Sequence, residues 1–239
     1  MSTLASPLQA RLDQVKARID AAARAVSCDP RAIALIAVSK TFGAEQVLAA
    51  IAAGQRQFGE NYVQEAVEKM TRVRAALSAT PDTRLQWHFI GPIQSNKTRA
   101  IAENFDWVQS VDRLRIAERL SAQRPADMPP LDVLLEVNIS GETSKSGVAP
   151  ADASSLAAAV AGLPRLRLRG LMAIPAPDAD ARVQRAAFDR VRQLFESLRA
   201  GAAGNWDTLS MGMSADLEAA IAAGSTMVRV GTAIFGARA

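Results

Sequence analysis

Short apolar runs recur along the chain, each followed by a longer stretch with helical spacing. The first run is "IALIAVS" (33–39). After it come "QFG" (57–59), "WHFIG" (87–91), "DWVQSV" (106–111), "DVLLEVNI" (132–139), "RGLMAI" (169–174), "DTLSMG" (207–212) and "MVRVGTAIFG" (227–236). Runs this short and this rich in branched apolar residues predict buried strands. The segments between them, such as "AEQVLAAIAAG", "NYVQEAVEKMTRVRAAL" and "ARVQRAAFDRVRQLFESLRAG", place apolar residues at the helical period. Gly54, Gly162 and Gly201 stand where helix C-terminal caps are expected. Leu8, Leu12, Val15 and Ile19 form one more apolar stripe ahead of the first strand.

Strands alternating with helices through eight repeats predict an α/β fold, a single (β/α)8 TIM-type barrel spanning 1–239 with an extra N-terminal helix. An open, doubly wound sheet competes, but no GxGxxG follows the first strand. The proline-rich pieces "RPADMPP" and "IPAPDAD" read as loops at strand ends, so no linker divides the chain.

The barrel changes what Lys40 means. Barrel sites lie at the C-terminal ends of the strands, and Lys40 follows the first strand directly. Asn61 follows the second, and "GPIQSNK", "NISGETSKSG", "SMGMSAD" and "GTAIFG" fall at the same rim. The loops after strands seven and eight often bind phosphate in barrels. Here they carry Gly212 and Gly231, which admit an anion close to backbone N–H groups, and the hydroxyls of Ser210, Ser214 and Thr232. Ser214 is expected at the start of a helix, where an anion is favoured and where an ordinary N-cap would also stand. A phosphate site beside a strand-end lysine suggests pyridoxal phosphate, since a buried lysine can be neutral and attack an aldehyde. These residues alone leave the cofactor unspecified.

Composition narrows the alternatives. The 28 Lys and Arg and 24 Asp and Glu are interspersed on the helices, a solvated pattern that gives no reason to expect nucleic acid. Arg165, Arg167 and Arg169 read as the exposed entry to the sixth strand. One cysteine, Cys28, and one histidine, His88, argue against a disulfide frame and a histidine-rich metal site. No run is long enough to span a membrane, and the N-terminus lacks a signal-peptide pattern, so a cytoplasmic location is expected.

"AVSKTF", "FGENYVQE", "WHFIGPIQSNK", "EVNISGETSKSG", "LSMGMSADLEAAI" and "GSTMVRVGTAIFG" together resemble the pyridoxal phosphate homeostasis proteins, the YggS/PROSC family, whose fold resembles the barrel domain of alanine racemase (fold type III). The match runs in order from Lys40 to Gly236. The resemblance implies that Lys40 carries pyridoxal 5'-phosphate as an internal aldimine. It also implies that Ser214, Gly231 and Thr232 cradle the phosphate, that Arg229 approaches the pyridine nitrogen, and that Asn61 lies near the ring. An arginine can only donate a hydrogen bond there, which weakens carbanion stabilisation. The family role is intracellular vitamin B6 homeostasis, buffering or delivering the cofactor, with transient contact to apo-enzymes. The chain stops three residues after "IFG", so the second domain that gives racemases their second base is not expected, nor is robust turnover. An amino-acid racemase or related enzyme of this fold type is the alternative. Tyr62 is expected to pack, and His88 to be a hydrogen-bonded strand residue. Glu60, Glu65 and Glu68 are expected to solvate a helix, with Glu65 and Lys69 paired. Lys97 and Lys145 are expected as solvated rim lysines, the alternative being that one of them transiently accepts the aldehyde. A monomer is expected, with the N-terminal helix the one element left to meet a partner.

Overall fold

The computed structural model describes residues 6–78, 83–142, 146–176, 180–199 and 206–237. Helix α1 (Pro7–Ala25) opens the chain. Ser6 caps it by accepting from the Gln9 N–H at 3.2 Å, and Pro7 takes a first-turn position that needs no donor. Strand–helix units follow: β1 (Ala34–Val38) and α2 (Ala44–Ala52), β2 (Gln57–Glu60) and α3 (Val63–Ala76), β3 (Gln86–Phe89) and α4 (Thr98–Asn104), β4 (Trp107–Val111) and α5 (Leu114–Gln123). The second half comprises β5 (Leu131–Val137) and α6 (Ala153–Ala161), β6 (Leu166–Ala173) and α7 (Ala181–Arg199), β7 (Thr208–Ser210) and α8 (Leu217–Ala222), and β8 (Met227–Val230) with the single turn α9 (Thr232–Phe235).

The eight strands close into one parallel barrel in sequence order, and β1 meets β8 with Ile36 opposite Arg229 and Ala37 opposite Val230. The barrel expected from the sequence is therefore present. Its interior is filled by Ile36, Trp107, Leu134, Met172 and Met227, while a larger apolar layer lies between strands and helices. Strands buried on both faces explain the nearly unbroken apolar runs.

The structure revises four local expectations. The sixth strand starts at Leu166 rather than at Arg169, so Arg167 and Arg169 belong to the strand, in its first half, where Arg167 is exposed as expected of an entry. Arg167 and Arg169 bind Asp132 and Asp207 with paired hydrogen bonds, and Arg169 covers the Trp107 ring at 4.9 Å. A bulge between β5 and β6 leaves Gly170 at φ +145, with the position of a Cβ only 2.0 Å from the Thr208 carbonyl oxygen, so no side chain fits there. The eighth strand ends at Val230, and "TAIF" turns into α9. Gly54 follows α2 at φ +87 as expected of a C-terminal glycine, whereas Gly162 ends α6 in a right-handed conformation and Gly201 lies outside the described residues. Finally, the α1 stripe is spent within the chain. Leu8, Leu12, Val15, Ile19 and Ala23 are buried and α1 packs on α8 and α9, leaving that face closed to a partner.

Candidate active site

The strand C-termini gather the expected residues at one mouth. The β1–β8 register puts the Lys40 loop beside the Gly231–Thr232 turn, and Gly231 stands close enough to Val38 that an added Cβ would lie 3.3 Å from its carbonyl oxygen. Phe42 stacks on Phe235 at 5.0 Å, joining the loop after β1 to α9. Lys40 itself is half-buried.

Opposite it, Thr232 Oγ1 donates to Ser214 Oγ at 3.2 Å, bringing two of the expected phosphate hydroxyls together. The first N–H groups of α9 have no acceptor within the helix. Ser214 is not the N-cap that the sequence suggested. Helix α8 starts at Leu217, and it is Asp216 that precedes it, accepting from the Met213 N–H at 2.5 Å. Ser214 sits in the turn before, where Arg18 of α1 holds its carbonyl at 3.0 Å and also binds Glu218 through two bonds. Arg11 likewise donates to the Ile234 carbonyl at 2.7 Å. Both turns of the cradle are thus stapled by a helix 200 residues away in sequence, a tie no local pattern reveals.

Beneath the mouth, Arg229 is 4% exposed. It donates to Ser210 Oγ at 2.6 Å and to the Ala173 carbonyl at 3.1 Å. Ser210 donates in turn to Gln109 Oε1 at 2.7 Å, and Gln109 Nε2 lies 3.0 Å from His88 Nδ1. The donors run one way, from arginine to serine to glutamine to histidine, which leaves the His88 proton on Nε2. The hydroxyl hydrogen of Ser210 is committed to this chain, so its place is behind Arg229 rather than with Ser214 and Thr232. His88 is the hydrogen-bonded strand histidine expected, and complete burial holds it neutral with a pKa pushed down to about 3. Burial also lowers Arg229 to about 10, resisted by the negative charges of Glu136 and Asp216. Glu136, on β5, is pushed up to about 7 by burial and by Asp112, against the pull of Arg229.

Asn61 follows β2 at the rim, and its side-chain oxygen is buried with no protein partner. Gly91 lets the chain pass it, since a Cβ there would come 2.6 Å from the Asn61 carbonyl. Glu60 and Lys69 depart from expectation. Glu60 is fully buried and Lys69 is 3% exposed, so neither solvates the helix, while the Glu65–Lys69 pair forms at 3.0 Å as expected. Tyr62 is 57% exposed, so its ring does not pack. Lys97 is half-buried in the turn before α4, and Lys145 lies outside the described residues. Among the described residues no cluster is arranged to hold a metal ion, and no helix is long and apolar enough to cross a membrane.

A lysine, a buried arginine, paired hydroxyls and N-terminal amides stand around one mouth as donors suited to an anion, with the orphaned Asn61 oxygen beside them as an acceptor. The comparisons agree with that chemistry. The model of the alanine racemase N-terminal domain matches residues 10–239. A pyridoxal phosphate homeostasis protein of Pseudomonas aeruginosa is 58% identical over 238 residues, covering 100% of this chain and 97% of that one. The protein of the same name from Escherichia coli K12 is 57% identical over 234 residues, covering 95% of each. The structure of PipY from Synechococcus elongatus with pyridoxal phosphate bound superposes with a TM-score of 0.79 at 36% identity, covering 96% of this chain and 100% of that one.

Proposed function

The chain belongs to the pyridoxal phosphate homeostasis family, built on the alanine racemase N-terminal barrel, and from that premise we propose that it stores and delivers pyridoxal 5'-phosphate as one domain. When bound, the cofactor would supply an electrophilic aldehyde carbon for a neutral lysine amine. Lys40 is the lysine for this. Ser214, Gly231 and Thr232 receive the phosphate, supported from outside by Arg11 and Arg18. Asn61 offers its unpartnered oxygen to the ring.

Storage over catalysis is supported by the match, over nearly the whole of both chains, to relatives named pyridoxal phosphate homeostasis proteins, and it is consistent with Arg229. Arg229 is a donor-only group near the C-terminal end of β8, held by Ser210 and Ala173. A donor at the ring nitrogen keeps that nitrogen unprotonated and so limits its power as an electron sink. His88 is neutral and locked to Gln109, so it is not placed to supply a proton. Glu136 titrates near neutrality but is spent balancing Arg229. The cofactor is held for transfer, in the cytoplasm, by a monomer that meets apo-enzymes transiently.

Two assays test this together. Loaded protein mixed with a cofactor-free aminotransferase, with a scavenger of free aldehyde present, is expected to restore aminotransferase activity. The same loaded protein is expected to leave the optical rotation of common L-amino acids unchanged over hours. Racemisation with no transfer would reverse the assignment in favour of an enzyme.

A further inference from the structure

Lys40 lies between two peptide units that end on one buried cluster. The ammonium of Lys69 donates to the Ser39 carbonyl at 2.8 Å, to Glu60 Oε1 at 2.7 Å and to Glu65 Oε1 at 3.0 Å, which uses all three of its hydrogens. Ser39 Oγ donates to the same Glu60 oxygen at 2.6 Å. Beyond Lys40, the Thr41 N–H donates to Glu65 Oε1 at 2.8 Å. The carbonyl before Lys40 and the N–H after it are therefore both tied to charges carried by β2 and α3. Thr41 sits at φ +69, a left-handed conformation that a threonine keeps only where its surroundings enforce it.

The energetics make this an odd way to stabilise a barrel. Glu60 is fully buried and Lys69 nearly so, and burial pushes the Glu60 carboxyl up in spite of the adjacent ammonium. A buried ion pair is often no better for stability than apolar residues of the same volume. Its value here lies in geometry, because among the described residues the side chains of the cluster bond the backbone on the two sides of Lys40.

We propose that Glu60, Glu65 and Lys69 are positioning residues for Lys40. By fixing the peptide units before and after it, they hold the backbone from which the lysine side chain leaves, next to the turn of Gly231 and Thr232. The ordering that a covalent link to the cofactor would otherwise impose on this loop is already in place in the free protein. The inference rests on the reading that Lys40 takes the aldehyde.

The test uses Lys69→Met, the charge-balanced double variant Glu60→Gln/Lys69→Met, and Glu65→Ala on the half-exposed helix face. The double variant leaves no unpaired buried charge, which guards against simple failure to fold. In cofactor-free protein, amide exchange at residues 40–42 is expected to accelerate by about tenfold or more, with β5 amides unchanged. Binding is then compared for pyridoxal 5'-phosphate and for pyridoxine 5'-phosphate, which has an alcohol in place of the aldehyde. Affinity for the aldehyde is expected to fall about 10- to 100-fold, and affinity for the alcohol to stay within about twofold. Equal losses for both ligands would assign the cluster a general structural role, and no loss for either would remove the proposal. Should wild-type protein itself bind the two ligands alike, the Lys40 reading fails first and separately.

Discussion

Replacing Glu136 by glutamine isolates one charge in the barrel mouth. In the unfolded chain its carboxyl titrates at the ordinary 4.5, whereas burial and Asp112 raise it to about 7 in the fold. Between those values the folded protein holds a proton that the unfolded chain has released. Stability from this group is thus fully present below 4.5 and is lost as pH rises through about 7. At about 1.4 kcal/mol per pH unit, the interval corresponds to about 3 kcal/mol. His88 acts in the opposite sense, since its pKa falls from 6.5 to about 3 and its contribution is lost on acidification through that range. The difference between variant and wild type cancels His88 and the other groups that do not interact with Glu136. Urea unfolding of cofactor-free protein at several pH values is expected to give equal stabilities near pH 4.5. The Glu136→Gln variant is expected to gain by up to about 3 kcal/mol at pH 8. A difference that stays constant across that range would refute the claim that Glu136 titrates near neutrality against Arg229.

Two further substitutions probe the supports of the mouth. Arg18→Ala removes the staple on the Ser214 carbonyl and on Glu218. Because the ion pair is solvent-exposed, stability is expected to fall by less than about 1 kcal/mol, while inorganic phosphate competes several-fold less well for the cradle in a displacement titration. Ser210→Ala cuts the donor chain between Arg229 and Gln109. The buried groups left unpaired are expected to cost about 1–3 kcal/mol in urea unfolding, with the His88 ring signals shifted in the NMR spectrum.

The strands were legible because a parallel barrel buries both of their faces, so each reads as an apolar run whatever its register. Boundaries failed where that signal is ambiguous. "TAIF" continues the apolar run of β8, and periodicity cannot distinguish a strand end from one helical turn over four residues. The arginines at 167 and 169 hid the start of β6, because their aspartate partners come from β5 and from the residue just before β7. At the site, Lys40, Ser214, Gly231 and Thr232 could be proposed from their places after strands. Their supports could not. Lys69 and Glu65 look the same in sequence whether an i, i+4 pair faces water or the barrel wall, and only the fold shows that Lys69 turns inward to Glu60 and Ser39. Arg18 and Gln109 reach partners 196 and 101 residues away in sequence. The isolated position of His88 between two aromatic residues did hint at a buried, hydrogen-bonded ring.

The most direct test of the central claim is covalent mapping of the cofactor. Purified protein is loaded with pyridoxal 5'-phosphate, reduced with borohydride and digested, and the modified peptide is sequenced by mass spectrometry beside a Lys40→Ala control. The account predicts a single major adduct on Lys40, absent from the control, with the visible absorption of the loaded protein lost in the same variant. An adduct on Lys97 or Lys145 in wild type, or an unchanged spectrum in Lys40→Ala, would contradict it.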